Sequence, residues 1–496
     1  MIMDRKLINS IYKILTFVII FIFCTIIAKS IILTGTNSDM ANMVLRSYDI
    51  LNGDIFCRNW HELVFYSTDL LFYTIVTAIT GIAPKTVFIT TFLMIIFIYF
   101  SSVLLIKDKD NHLDYKFILL LLLLLGININ LYIHTPAFAY SFICLFFLDR
   151  YFKNKLKKDF SLMFLFMFLA LLGDKLVVPI LILPVLIYCT TKIAYTNKKS
   201  DKTYLNVIYS ILGLFVLFYL LSKIFALCGI NIYDRDAGQF AFVTLFTTIE
   251  NFKIFFLQLL VLFRADFFNL PIGINAAGAL VKFGIMIAGY VLSYNEIKSM
   301  LTNKKTTDLI SAILSLGIII LSFIMLTTNI NNDIFHLRYT AYFPFAFAVL
   351  ICRKMFSAND KFFILTLLVL LITSGQQLQV TKAPLITSID TRNIIAYLQN
   401  NNLTNGLATF WNASDIVLNS KNTIKLRSFE IINGEIIQRA TSTNYKWYDE
   451  EFNYILLRQK DEVSLNDLPK PDETIYFDNY IICKYAQPVK IKKLRK

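Results

Sequence analysis

A succession of apolar runs, separated by short basic loops, constrains this chain more than any other feature. Residues 14–27, 117–125, 160–172 and 309–326 are almost wholly apolar, and they approach or reach the length that crosses the hydrocarbon core of a bilayer. Apolar residues make up 56% of the chain and charged ones only 17%, a balance that excludes an ordinary soluble domain. A net charge of +14 would suggest nucleic acid in a soluble protein. Here the lysines gather in the loops between apolar runs, so orientation in a membrane explains them better, and no nucleic acid is expected.

The basic loops alternate. Clusters fall at Lys107, Lys109 and Lys116; at Arg150, Lys153, Lys155, Lys157 and Lys158; at Lys192, Lys198, Lys199 and Lys202; at Lys298, Lys304 and Lys305; and at Arg353, Lys354 and Lys361. With Arg5, Lys6 and Lys13 they mark one side. The intervening loops carry fewer cations: Arg46, Arg58, Lys85, Lys175, Arg235, Lys253, Arg264 and Arg338. The excess puts the N-terminus in the cytoplasm. The same parity turns two apolar stretches into outer helices lying on the membrane. Residues 70–82 are short, carry Thr74, Thr77 and Thr80, and end at Gly81 and Pro84. Residues 240–263 are interrupted by Glu250, Asn251, Lys253 and Gln258. About eleven spans remain, over 12–33, 86–106, 117–133, 137–152, 160–173, 177–191, 204–228, 276–294, 309–327, 339–352 and 362–379.

The basic, apolar start reads as an uncleaved signal anchor, because its apolar part is too long for a cleaved signal and no small-x-small site follows. The cysteines show no CxxC pairing and no metal spacing. Cys57 and Cys483 share the outer side, so a disulfide is open to them. With four histidines (His61, His112, His134 and His336) a zinc site is disfavoured. After residue 379 the composition turns polar. Residues 391–400 read as a short amphipathic helix, and residues 407–411, 424–432, 454–458 and 475–485 as strands. The expected organisation is a polytopic α-helical membrane domain over 1–379, with surface helices in its first outer loop, and a small extracytoplasmic α/β domain over 380–496.

The first outer loop carries the candidate chemistry. Asp39, just past the first span, is placed to act as a general base, although Ser38 or Asp39 would also serve to cap a helix from Met40. Asp69 is a second acid with the same ambiguity, since Ser67, Thr68 and Asp69 all cap well. Asp49 and Asp54 flank an Asn52-Gly53 turn and read as loop acids. Trp60, His61 and Tyr66 are candidates for contact with a sugar or acceptor; aromatics also belong at any membrane interface. Lys29, Lys223 and Lys282 sit in the outer halves of spans, where ionisable groups are costly, and Lys175, His336 and Arg338 lie at outer span ends. All are candidates for a lipid phosphate, Arg338 first because arginine binds phosphate bidentately; snorkelling accounts for a lone lysine equally well. No GxxxxGK[ST] or GxGxxG motif is present, so an activated sugar would have to arrive on a lipid.

With these residues in view, the chain resembles the GT-C superfamily of membrane glycosyltransferases, which includes protein O-mannosyltransferases and the aminoarabinose transferase of lipid A. The likeness is carried by Ser38-Asp39 after the first span, by Asn52-Gly53 leading to Trp60-His61 and Tyr66-Ser67-Thr68-Asp69-Leu70-Leu71-Phe72-Tyr73, and by His336-Leu337-Arg338-Tyr339 with Pro344. It implies an inverting transferase of the cytoplasmic membrane, with a polyprenyl-phosphate sugar as donor and a cell-envelope glycan or lipid-linked molecule as acceptor. Asp39 takes the family's base position, and Arg338 or the span lysines its phosphate site. No cofactor is implied; a divalent metal is not favoured, because Met40 follows Asp39 where many relatives carry a second acid. Alternatives are a polysaccharide polymerase or ligase with a lipid-diphosphate donor, a transporter and an envelope scaffold. The first would place its long loop late rather than first. A transporter would show internal repeats and midplane charges, and neither is visible.

Overall fold

The computed structural model describes residues 5–60, 65–106, 113–124, 134–196, 202–230, 241–268, 270–302, 308–331, 334–354, 389–439, 441–459, 461, 463 and 465–493. The chain is mostly helical, with a small sheet near its C-terminus. It divides into two compact units. One comprises Met1–Ser30, Met94–Leu217 and Gln239–Lys382; the other comprises Ile31–Leu93, Phe218–Gly238 and Ala383–Lys496.

The helices before the sheet are α1 (Arg5–Thr34), α2 (Ser38–Leu51), α3 (Asp69–Thr80), α4 (Pro84–Ile106), α5 (Leu113–Leu124), α6 (Thr135–Asn154), α7 (Lys157–Gly173), α8 (Leu183–Thr196), α9 (Lys202–Leu227), α10 (Leu245–Phe263), α11 (Ile274–Leu301), α12 (Leu309–Thr327) and α13 (Tyr342–Lys354). Among the described residues six stretches are long and apolar enough to cross a membrane: Pro84–Ile106, Val178–Tyr195, Lys202–Leu227, Leu245–Phe263, Ile274–Leu301 and Leu309–Thr327. This is a multi-pass membrane protein. The expected span at 362–379, half of that at 117–133 and the expected domain boundary lie outside the described residues. Helix α3 has 12 residues and rises about 18 Å, too little to cross the hydrocarbon core. Residues 245–263 lie in the second stretch expected as an outer helix. They form one unbroken helix of spanning length, in which Asn251 and Gln258 are buried against neighbours while Glu250 and Lys253 are exposed. Asn251 Nδ2 donates to the carbonyls of Leu326 (3.1 Å) and Thr328 (3.0 Å), and Gln258 Nε2 donates to Asn331 Oδ1 (2.8 Å).

In the first unit the α-helical ladder widens between α7 and α8. Pro184 has no N–H to offer the Ile180 carbonyl, and Leu183 N donates instead to Val178 O in a π-turn over Val178–Ile182. Helix α12 closes on this turn through Gly317. A Cβ there would stand 2.7 Å from Ile180 O and 2.9 Å from the hydroxyl of buried Tyr342.

The second unit contains α14 (Ile389–Asn400), α15 (Phe410–Asn419) and strands β1 (Asn405–Ala408), β2 (Lys425–Ile432), β3 (Glu435–Gln438), β4 (Tyr454–Arg458), β5 (Glu473–Phe477) and β6 (Tyr480–Lys484). They build a six-stranded mixed sheet in the order β3-β2-β1-β4-β6-β5. β1 pairs in parallel with β2 and with β4, so Leu407 lies opposite both Arg427 and Ile455. The β2–β3 hairpin turns on Asn433 (φ 54°) and Gly434 (φ 77°), the pair that left-handed two-residue turns favour. Leu407, Phe429, Ile436, Tyr448, Phe452, Ile455, Leu457 and Cys483 form the core. Two expected strands are corrected. The strand expected at 407–411 ends at Ala408, because Phe410, Ala413, Ile416 and Val417 have the spacing of a helix face and form α15, the crossover from β1 to β2. The strand expected at 475–485 breaks at Asp478 (φ 50°) into a hairpin.

Candidate functional site

Asp39 stands in the first turn of α2, half-buried. The cap of that helix is Asn37, not Ser38 or Asp39: its backbone is extended and its side chain accepts from Met40 N at 3.0 Å. The polypeptide reaches this position through Gly35 in the left-handed region (φ 74°). Helix α15 packs against α2 beside it. Thr36 Oγ1 donates to Asp415 Oδ1 (2.6 Å), Asn419 Nδ2 donates to the same carboxylate (3.1 Å), and Ser414 Oγ donates to Asn42 Oδ1 (2.9 Å). Burial pushes the Asp415 carboxyl up, and the Thr36 hydroxyl offsets part of this. Asp415 therefore joins the Asp39 region from a distant part of the chain, which the sequence reading missed. Asp69 is fully buried in the first turn of α3.

A second centre in this unit is built on Asp49. Its Oδ2 accepts from Trp60 Nε1 (2.9 Å) and from Asn444 Nδ2 (2.6 Å). Arg46 lies over the Trp60 ring at 4.6 Å, Trp60 meets Trp447 edge-on at 4.8 Å, and Arg427 lies over Trp447 at 4.6 Å. Tyr445 N donates to Asn59 O at 2.7 Å, tying the first loop to the sheet. Burial raises the Asp49 carboxyl, and the Asn444 and Trp60 donors draw it back. Trp60 is thus a core residue, with its face and edge occupied by protein groups, rather than an open platform for a sugar. Tyr66 is half-buried and donates to Ile55 O at 2.9 Å. Asp54 holds the following turn, accepting from Arg58 N (2.8 Å) and Asn59 N (3.2 Å). His61 lies outside the described residues. Cys57 and Cys483 are both buried free thiols, not a disulfide, and burial pushes the Cys57 thiol up to about 12.

In the first unit, Arg338 and His336 lie on a 3₁₀ turn over Ile334–Thr340 and meet at Tyr339. The Arg338 guanidinium is 5.2 Å from the Tyr339 ring centre and its Nη2 lies 3.4 Å from the hydroxyl; the His336 ring stacks on Tyr339 at 5.6 Å. His134 approaches the same ring at 5.3 Å, and its Nδ1 is hydrogen-bonded to Asp174 Oδ2. The other carboxylate oxygen accepts from Leu176 N at 2.9 Å. Lys175, next in the chain, is exposed. Lys29 on α1 and Lys223 on α9 are exposed, the latter 5.4 Å from the Tyr219 ring, and Lys282 is buried in α11. The histidine–carboxylate pair went unread because its members are 40 positions apart; the local trace was a histidine directly before Thr135-Pro136 and a charged break after Gly173. Among the described residues no group of three or more His, Cys, Asp or Glu is arranged to hold a metal. No protein-family model and no curated protein matches this chain.

Proposed function

We propose that the protein is a glycosyltransferase of the cytoplasmic membrane. It moves a sugar from a polyprenyl-phosphate donor, at the outer face, to a cell-envelope glycan or lipid-linked acceptor. Asp39 takes the acceptor's hydroxyl proton, that oxygen attacks the anomeric carbon in line, and the lipid phosphate leaves with inversion. Arg338, His336 and Lys175 are the residues proposed to meet the phosphate charge, Arg338 first because its guanidinium binds phosphate bidentately. The C-terminal sheet unit binds the acceptor.

The observation that carries this reading is Asp39 itself: a half-buried carboxylate in the first turn of a helix that another residue caps. The multi-pass helical architecture and the absence of any phosphate-cradling glycine loop from the sequence support a lipid-borne donor over a nucleotide one. The test is transfer by the purified protein in detergent, with radiolabelled sugar on polyprenyl phosphate and a panel of envelope lipids and glycans as acceptors. Label should pass from the lipid to one acceptor class. Transfer from a lipid diphosphate and none from the monophosphate would sink the donor assignment.

A further inference from the structure

We propose that the turn between α2 and α3 is a lipid-docking element, whose tip, Ile55-Phe56, seats at the boundary between headgroups and acyl chains beside the last turn of α9. Three observations carry this. First, the tip holds apolar side chains outward on a fixed backbone. Ile55 and Phe56 are 55% and 45% exposed, and Tyr48 and Leu51, in the last turn of α2, are exposed with them. Cys57 N donates to Asp54 O (2.9 Å), and the Asp54 carboxylate accepts from Arg58 N (2.8 Å) and Asn59 N (3.2 Å). The Tyr66 hydroxyl donates to Ile55 O at 2.9 Å. Cys57 is buried, so the turn points two apolar side chains out and draws the next one in. Clustered exposed apolar groups mark a surface that something covers.

Second, α9 identifies the cover. The Phe56 ring lies 6.4 Å from the ring of Phe225, two residues before α9 ends at Leu227. Among the described stretches of spanning length α9 is the least buried, with only 17% of its apolar part inside the protein. Tyr219, Leu220, Ile224 and Leu227 are exposed at the spacing of one helix face. In a spanning helix such a face meets lipid. The tip therefore abuts a helix whose open face is in the bilayer.

Third, length sets the depth. α9 has 26 residues and rises about 39 Å, against about 30 Å for the hydrocarbon core. With the excess shared between its ends, about 4–5 Å at the Leu227 end lies among headgroups, and Phe225 is about 3 Å from that end. Phe56 shares that level. Lys223 and Arg58 are both exposed, and cations on long stems suit headgroup phosphates. Tyr48 and Tyr219 add the aromatic side chains that favour this zone.

The inference goes beyond the transferase reading and asks nothing of it. It moors the C-terminal end of α2, the helix that carries Asp39 in its first turn. The test is the depth of a nitroxide on the full-length protein in nanodiscs of phosphatidylcholine and phosphatidylglycerol. Cys24 and Cys228, the free thiols that are not buried, are first replaced by serine, and Ile55→Cys then carries the label. Leu220→Cys on α9 is the lipid reference, and Lys470→Cys, exposed before β5, the water reference. Oxygen, which concentrates in lipid, should relax the label at position 55 more than a water-soluble nickel chelate does, as at position 220 and the reverse of position 470. Should Ile55→Cys fail to fold, Leu51→Cys reports on the same surface. A label relaxed mainly by nickel overturns the proposal, because the tip then stands in water. A label shielded from both reagents overturns it as well, because protein then covers the tip.

Discussion

Asp49 and Asp174 are both carboxylates gripped by two donors, and the contrast between them separates a structural centre from a chemical one. Around Asp49 the partners are neutral and fixed, an indole N–H and a carboxamide, and the nearby arginines spend their faces on tryptophan rings. That arrangement joins residues 49–60 to 444–447 and leaves it nothing to exchange with a substrate. Around Asp174 one partner is an imidazole, a group that can change its charge. A carboxylate that terminates a network stabilises; one that orients a titratable ring prepares it to bind or move a proton.

The largest test of this contrast is on stability. Trp60→Ala removes a buried ring packed against Arg46 and Trp447 and should cost about 3–5 kcal/mol, seen as a large fall in the thermal midpoint of the purified protein. His134→Gln should lower it far less. If the two variants fall equally, both centres are structural and the distinction fails.

Asp49→Asn should cost about 1–3 kcal/mol by setting an amide donor against donors, with a pH signature. Burial holds this carboxyl above its ordinary 3.8, so the folded state binds the proton more tightly than the unfolded chain does. The stability from this group is full below about pH 4 and is lost as pH rises through the raised value. Subtracting the variant's stability–pH curve from that of wild type should expose that decline; a difference that rises with pH would contradict the raised carboxyl. A similar cost, about 1–3 kcal/mol, is expected for Gly317→Ala, whose methyl meets the Ile180 carbonyl. This substitution lies outside both centres. The smallest effect is that of Asn37→Ala, about 1 kcal/mol for a lost cap, read as a modest fall in midpoint with Asp39 still present.

Much of the helical architecture was legible because apolar runs and loop lysines are local signals. Their reach is shorter for polar residues inside helices: Asn251 and Gln258 look like interruptions until their partners at 326, 328 and 331 are known. The same limit explains the sites. Asp49 read as a loop acid beside Asn52-Gly53, because nothing within ten residues announces Asn444. Asp415 was hidden because its partner Thr36 lies 379 positions away. Asp39 and the Arg338 turn stood out because each combines a charge with a span end, a pattern visible within a few residues.

Asp39→Asn tests the central claim most directly. Sugar transfer from a polyprenyl-phosphate donor should fall by about 10²- to 10⁴-fold, the range for losing a general base, while the protein remains folded with Asn37 still capping α2. Transfer at the wild-type rate by a folded Asp39→Asn protein would contradict the account.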